Sequence, residues 1–311
     1  MAQRLTSAEV IGLFEKLSNW GRWGKDDERG ALNFITDAKR AAAAALVKTG
    51  ETVSMSLPLA TITANDNPQP VTHLMMQAGT DSPRQSMAGV ADYFAISPHG
   101  FATTHLDALC HIFWQGKMYN GFDAGEVGSH GARKCSIEVA SGGVVSRGVL
   151  LDIAKAKGVE WFEPGHHIFP EDLEAAEKDH GVRVEEGDVL MVRTGRPKRR
   201  ASKGGWEPPN RGLLDMAGLD ATCLPWIHER RIAILGCDGT SDVIPSGYDD
   251  VALPIHIGTL VVMGIHLIDN ADLEALSKQC AKLRRYAFQF VMAPLLLKRG
   301  TASPVNPLAV F

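Results

Sequence analysis

The sequence predicts an α/β fold, and two observations carry that expectation. Short apolar runs bounded by turn residues, at 148–153, 187–195 and 232–238, have the length and pattern of buried strands. Helical stretches fall between them, one opened by Pro170 with acids in its first turn and ending near Gly181, another capped by Asp220 and running to about Glu229. Strands alternating with helices are the mark of an α/β chain. With 311 residues and 45% hydrophobic content, the chain has ample material for a large core.

The remaining elements follow in order. Thr6-Ser7-Ala8-Glu9 has the form of a capping box, and Val10, Ile11, Leu13, Phe14, Leu17 and Trp20 give the helix behind it an apolar face. A Gly- and Trp-rich loop, 19–27, comes next; its Trp20 and Trp23 pin it to the body or line a pocket. Asp37 is placed to cap a helix from Ala38 to about Lys48, stopped by Gly50. Residues 52–59 pattern as a strand, and 61–91 as a long loop with room for a hairpin. The basic run Arg196, Lys198, Arg199, Arg200 and Lys203 suggests a solvated loop. Strand 232–238 ends in Asp238, and 239–242 make a turn. Pro254 opens an apolar helix to Met263, broken by Gly264; 265–268 and 286–297 are strands.

Composition excludes several function classes. A formal net charge of -4 favours neither nucleic acid nor a membrane surface. Five scattered cysteines without a CxxC pair fit reduced thiols and a cytoplasmic setting. Residues 1–7 lack the apolar core of a signal peptide, and no run reaches membrane-spanning length. The sequence contains no P-loop, GxGxxG or G-x-S-x-G elbow.

Chemistry concentrates in Thr104-His105-Leu106-Asp107-Ala108-Leu109-Cys110-His111. In an extended segment His105 and Asp107 point the same way, and in a helical one Asp107 and His111 share a face. An extended stretch running into a helix at Asp107 satisfies both. Imidazole nitrogen and carboxylate oxygen together suit Zn²⁺ or Mn²⁺. A core histidine satisfied by its neighbours is the competing explanation. A second cluster lies at His256, which opens the apolar helix, and at Asp269-Asn270, at the end of the following strand. An ionised Asp269 in such apolar company needs a partner, either a metal or an Asn-assisted turn. His73, His130, His166, His167, His180 and His228 lack acidic or imidazole partners at useful spacing.

The segment Thr104-His105-x-Asp107-x-x-x-His111 resembles the H-x-G-T-H-x-D-x-x-x-H motif of the cyclase family, which includes bacterial kynurenine formamidases and isatin hydrolases. Thr103 holds the Gly position and Phe101 the first His position; His99 is the nearest imidazole. The resemblance runs from about Asn19 through Asp238, Ser241 and Asp242 to the Ser303-Pro304 tail. It implies a swivelling β/β/α-type fold with a barrel-like β core. The chain is then a single domain, 1–311, with a helical N-terminal extension over about 1–50, in a homodimer or larger assembly. It also implies that His256 and Asp269 join His105 and Asp107 around Zn²⁺ or Mn²⁺, Asp269 standing where the family has Glu. His111 then serves as acid and base for the hydrolysis of an amide, cyclic amide or lactone. The aromatics flanking the motif either pack in the core or suit a planar small-molecule substrate such as an aryl formamide or isatin. The alternatives are a metal-assisted cyclase or dehydratase, and a member without catalysis, suggested by Phe101.

Overall fold

The computed structural model describes residues 5–81, 86–205 and 214–311. Residues 1–4 of the segment 1–7, expected to lack the apolar core of a signal peptide, and positions 82–85 of the expected loop lie outside the described residues. Nine strands share one sheet. They are β1 (Thr52–Ser54), β2 (His105–Asp107), β3 (Val144–Asp152), β4 (Val189–Arg193), β5 (Ile234–Cys237), β6 (His266–Asp269), β7 (Ala287–Met292), β8 (Ala302–Pro304) and β9 (Leu308–Val310). Their order across the sheet is β1-β9-β7-β3-β4-β5-β6-β2-β8. The inner strands β3, β4, β5 and β6 run parallel; every other neighbour pair is antiparallel. The sheet curls into a half-barrel.

The parallel strands are covered on both faces, so β4 is buried at all five positions and reads as an apolar run up to the ion-paired Arg193. β7 alternates buried and half-buried residues, as an outer antiparallel strand should. The carboxyl ends of β5 and β6 carry Asp238 and Asp269, the side of a parallel sheet where ligands bind.

The helices obey their caps. Thr6 and Glu9 form the expected capping box on Ser7–Lys16. Pro170–His180 ends on Gly181 in the left-handed conformation. Asp220 caps Ala221–Cys223, which leads into Leu224–Arg230. Pro254–His256 begins one helical turn, which continues as a π-helix over Ile257–Met263 and stops at Gly264.

Some expectations are corrected. Thr36, not Asp37, caps the second helix, because its hydroxyl accepts from the Lys39 amide; Asp37 is the first helical residue, and the helix ends at Ala44. The strand expected over 52–59 is only three residues long, and the final one ends at Met292. The basic run is a helix, Arg196–Lys203, begun by a proline in its first turn, with Arg196 buried. Glu274–Leu283 is a helix absent from the expectations. The 61–91 loop does contain one strand of a hairpin, Thr72–Gln77 paired with Ala91–Ala95, and both faces of that hairpin are exposed. Among the described residues no helix is long and apolar enough to cross a membrane.

Candidate metal centre

β2 lies beside β6 with His105 directly opposite Asp269. Asp107, two residues on from His105, points to the same side of the strand. No helix begins at Asp107. Instead a turn closed by the His111 amide on the Ala108 carbonyl carries His111 back over the strand end. His256 comes in from the start of the buried helix. All four expected ligand residues, with His111, therefore line one cavity of about 110 Å³.

The distances are short. His105 Nε2 lies 3.4 Å and His256 Nε2 3.9 Å from the Asp107 carboxylate. His256 Nε2 is 3.4 Å from Asp269 Oδ2. Each ring has its other nitrogen engaged. His105 Nδ1 donates to the Thr103 carbonyl at 2.8 Å, and His256 Nδ1 donates to Asp242 Oδ2 at 2.6 Å. A carbonyl or carboxylate can only accept, so both rings turn Nε2 towards Asp107. Asp242 also accepts from the Ile255 and His256 amides, and Ser241 donates to Asp269 at 3.0 Å.

His99 enters the same cluster. Its Nδ1 lies 3.0 Å from Asp107 Oδ1, and its ring stacks on His111 at 3.7 Å between centroids. Gly100, at φ 124°, gives the backbone the turn that brings this imidazole in from two residues outside the motif. Phe101 forms part of the cavity wall with Ile244 and Leu253. Two groups of three side chains present ligand atoms within 4.8 Å of one another: His99, Asp107 and His111, and His105, Asp107 and Asp269.

The electrostatics are those of a compensated buried charge. Asp107 is fully buried, and neither of its oxygens accepts a hydrogen bond of ordinary geometry. Burial alone would raise its pKa, but the His105 charge outweighs that and holds it well below the usual carboxylate range. Burial would lower His105, yet the Asp107 charge raises it to about 9. Burial brings His111 down to about 4, against Asp107 and with the help of the neighbouring imidazoles. His256 is raised well above its ordinary value, its desolvation overcome by Asp242 and Asp269. Beneath the site His266, fully buried, donates from Nδ1 to the Asp107 carbonyl at 2.8 Å; nothing in its sequence neighbourhood marks it. His73 and His167 do have acidic partners, Asp92 at 2.7 Å and Asp220 at 2.9 Å, from distant parts of the chain.

The Cyclase family model matches residues 39–242, about two thirds of the sequence. The chain belongs to the cyclase family. A solved structure described as a novel cyclase is 34% identical, covers 96% of this chain and 99% of its own, and superposes with a TM-score of 0.86. Isatin hydrolase A from Ralstonia solanacearum is 19% identical over 83% of this chain and 91% of its own, with a TM-score of 0.59. The Labrenzia aggregata isatin hydrolase A bound to benzyl benzoate is 20% identical, over 86% and 94%, with a TM-score of 0.60. At these identities the two hydrolases share the fold with this cyclase-family chain. No curated protein sequence matches it. The family match contains His99, His105, Asp107, His111 and Asp242, and ends before His256 and Asp269.

Proposed function

We propose that this cyclase-family chain is a metal-dependent hydrolase that opens an amide, a cyclic amide or a lactone. One observation carries the proposal: a buried carboxylate, Asp107, accepts no hydrogen bond of ordinary geometry, while His99, His105 and His256 each aim a ring nitrogen at it from 3.0 to 3.9 Å. The imidazoles compensate this buried charge only when protonated, and a cation is the partner that this mixed donor set fits. His105, Asp107, His256 and Asp269 would hold Zn²⁺ or Mn²⁺, both of which accept mixed imidazole and carboxylate donors. When bound, such an ion supplies Lewis acidity to a carbonyl and a lowered pKa to water.

The chain's own residues supply the rest. Phe101, Ile244 and Leu253 give the cavity an apolar wall suited to a small planar substrate. Thr240 also lines the cavity, its hydroxyl donating to the Asp242 carbonyl at 3.4 Å. His111, on the cavity, accepts a proton from water and returns it to the leaving nitrogen or oxygen. Asp242 keeps the His256 ring in one tautomer and one orientation.

The grouping of His99 and His111 with Asp107 favours a second reading, in which two ions share Asp107 and His111 is a ligand. Elemental analysis of protein purified without added metal separates the cases. One equivalent of Zn or Mn, lost in Asp107→Ala, fits the single centre; two equivalents fit the shared one. No metal after reconstitution would remove the mechanism. Turnover of aryl formamides, isatin-like imides and lactones in ¹⁸O-water tests the reaction, since hydrolysis must place solvent oxygen in a new carboxylate. Product lacking ¹⁸O would point to a metal-assisted cyclase or dehydratase.

A further inference from the structure

The segment 99–104 carries His99 and Phe101 of the cavity and leads into His105, yet it is neither helix nor strand. Its carbonyls cannot rely on a ladder, and buried carbonyls need donors. Two side chains from other elements provide them. Arg196, at the start of the helix Arg196–Lys203, is 4% exposed. Its Nη2 donates to the Phe101 carbonyl at 2.5 Å and its Nη1 to Asn270 Oδ1 at 3.2 Å. Asn270, just past β6, then donates from Nδ2 to the Gly100 and Thr103 carbonyls at 2.7 and 3.1 Å. The Asn270 carbonyl accepts the Thr104 hydroxyl at 2.6 Å. Asp66, also buried, balances the charge: it lies 3.6 Å from Arg196 and takes a two-pronged contact from Arg200.

We infer that Arg196 is the positioning residue of the cavity. Through the Phe101 carbonyl directly, and the Gly100 and Thr103 carbonyls by way of Asn270, it fixes where the His99 imidazole and the Phe101 ring stand and holds the Thr103 carbonyl that tethers His105 Nδ1. A planar guanidinium is suited to this because its fork reaches two acceptors at once. A buried ion pair of this kind contributes little net stability relative to an apolar replacement, so its role is to hold one geometry. The inference rests on the metal-centre proposal for its effect on ion binding, and on the contacts alone for its effect on the loop.

Arg196→Met and Arg196→Lys test it by two readouts on the full chain. The first is Zn²⁺ affinity, by competition with a chromophoric chelator. The second is hydrogen exchange of amides 99–104 in metal-free protein. In Arg196→Met the expected loss is about ten- to a hundredfold in Zn²⁺ affinity, the range for removing a residue behind a ligand. Exchange of 99–104 should quicken by at least about tenfold beyond any change in the rest of the sheet. Arg196→Lys should recover part of both, because an ammonium keeps the Phe101 carbonyl but has no fork for Asn270. A residue needed only for global stability would change exchange everywhere and leave affinity alone. Zn²⁺ affinity within twofold of the parent in both folded variants, with unchanged exchange at 99–104, overturns the inference. A parent that takes no Zn²⁺ sinks the metal-centre proposal instead; the exchange result then decides the loop-holding role alone, acceleration supporting it and no change overturning it. Should Arg196→Met not fold, the Lys variant carries both measurements.

Discussion

Asp242 is the side chain whose replacement separates ligand orientation from stability. It is fully buried and accepts three hydrogen bonds, from the Ile255 amide at 2.7 Å, the His256 amide at 3.1 Å and the His256 ring at 2.6 Å. In Asp242→Ala two buried amides lose their acceptor, at about 1–3 kcal/mol each, and the ring loses its tether. The expected destabilisation is about 3–6 kcal/mol. Asp242→Asn keeps one carbonyl oxygen and nearly the same shape, so the expected cost falls to about 1–2 kcal/mol. Burial raises the Asp242 pKa, which means part of its charge is already held against a desolvation cost, and the Asn variant is spared that cost. Both variants remove the carboxylate that fixes the His256 tautomer, so both should lose about ten- to a hundredfold in Zn²⁺ affinity. Urea unfolding of metal-free protein gives the stability term, and chelator competition gives the affinity. An Asp242→Asn protein that binds Zn²⁺ within twofold of the parent would refute the argument that this carboxylate aims His256.

His111→Ala should lower turnover by about 10²–10⁴ with metal content unchanged; a loss of only a few-fold would remove His111 as acid and base. If metal content falls instead, His111 is a ligand. Gly264→Ala should destabilise the chain by more than about 3 kcal/mol, visible as a lower urea midpoint, because Gly264 has φ 67° and a Cβ there would sit 2.5 Å from the Tyr119 ring and 2.9 Å from Gly30 Cα. The buried Asp220 carboxyl is held below its ordinary value: burial opposes this, but the His167, Thr222 and Tyr248 hydrogen bonds outweigh it. A depressed carboxyl stabilises above its unfolded pKa and loses that effect as pH falls through the folded one. Asp220→Asn should therefore be about 1–3 kcal/mol less stable than the parent at pH 7, with the gap closing on acidification below about pH 4. A gap independent of pH would refute the carboxylate's part.

The four parallel strands were legible because each is a short apolar run between turn residues, and both faces of such strands are buried. His105 and Asp107 were legible as a pair because alternation on a strand is a local rule. His99 was not, since its approach depends on the left-handed turn at Gly100 rather than on motif spacing. The helix Arg196–Lys203 was misjudged because a run of charges is normally a solvated surface; here Arg196 finds Asp66, more than a hundred residues away, and is buried on it. The Asp242–His256 contact joins a turn to a helix start fourteen residues later, and only the assembled sheet brings them together. His266 was silent, and Asn270 was legible only as a turn residue beside Asp269, for their partners Asp107 and Gly100 lie on the far side of a strand pairing that sequence does not announce.

That pairing, β2 alongside β6, has a consequence for when the proposed centre would acquire its ion. His105 and Asp269 are neighbours across the sheet but 164 positions apart along the chain. A growing polypeptide exposes His99, His105, Asp107 and His111 long before His256 and Asp269 have been synthesised. Any cation captured at that stage would meet only part of the donor set, on a strand that has yet to find its partner. In the proposed centre, ion choice would therefore fall to the finished scaffold, at whatever cation concentrations surround it then, in contrast to small metal domains whose folding and metal capture are one event.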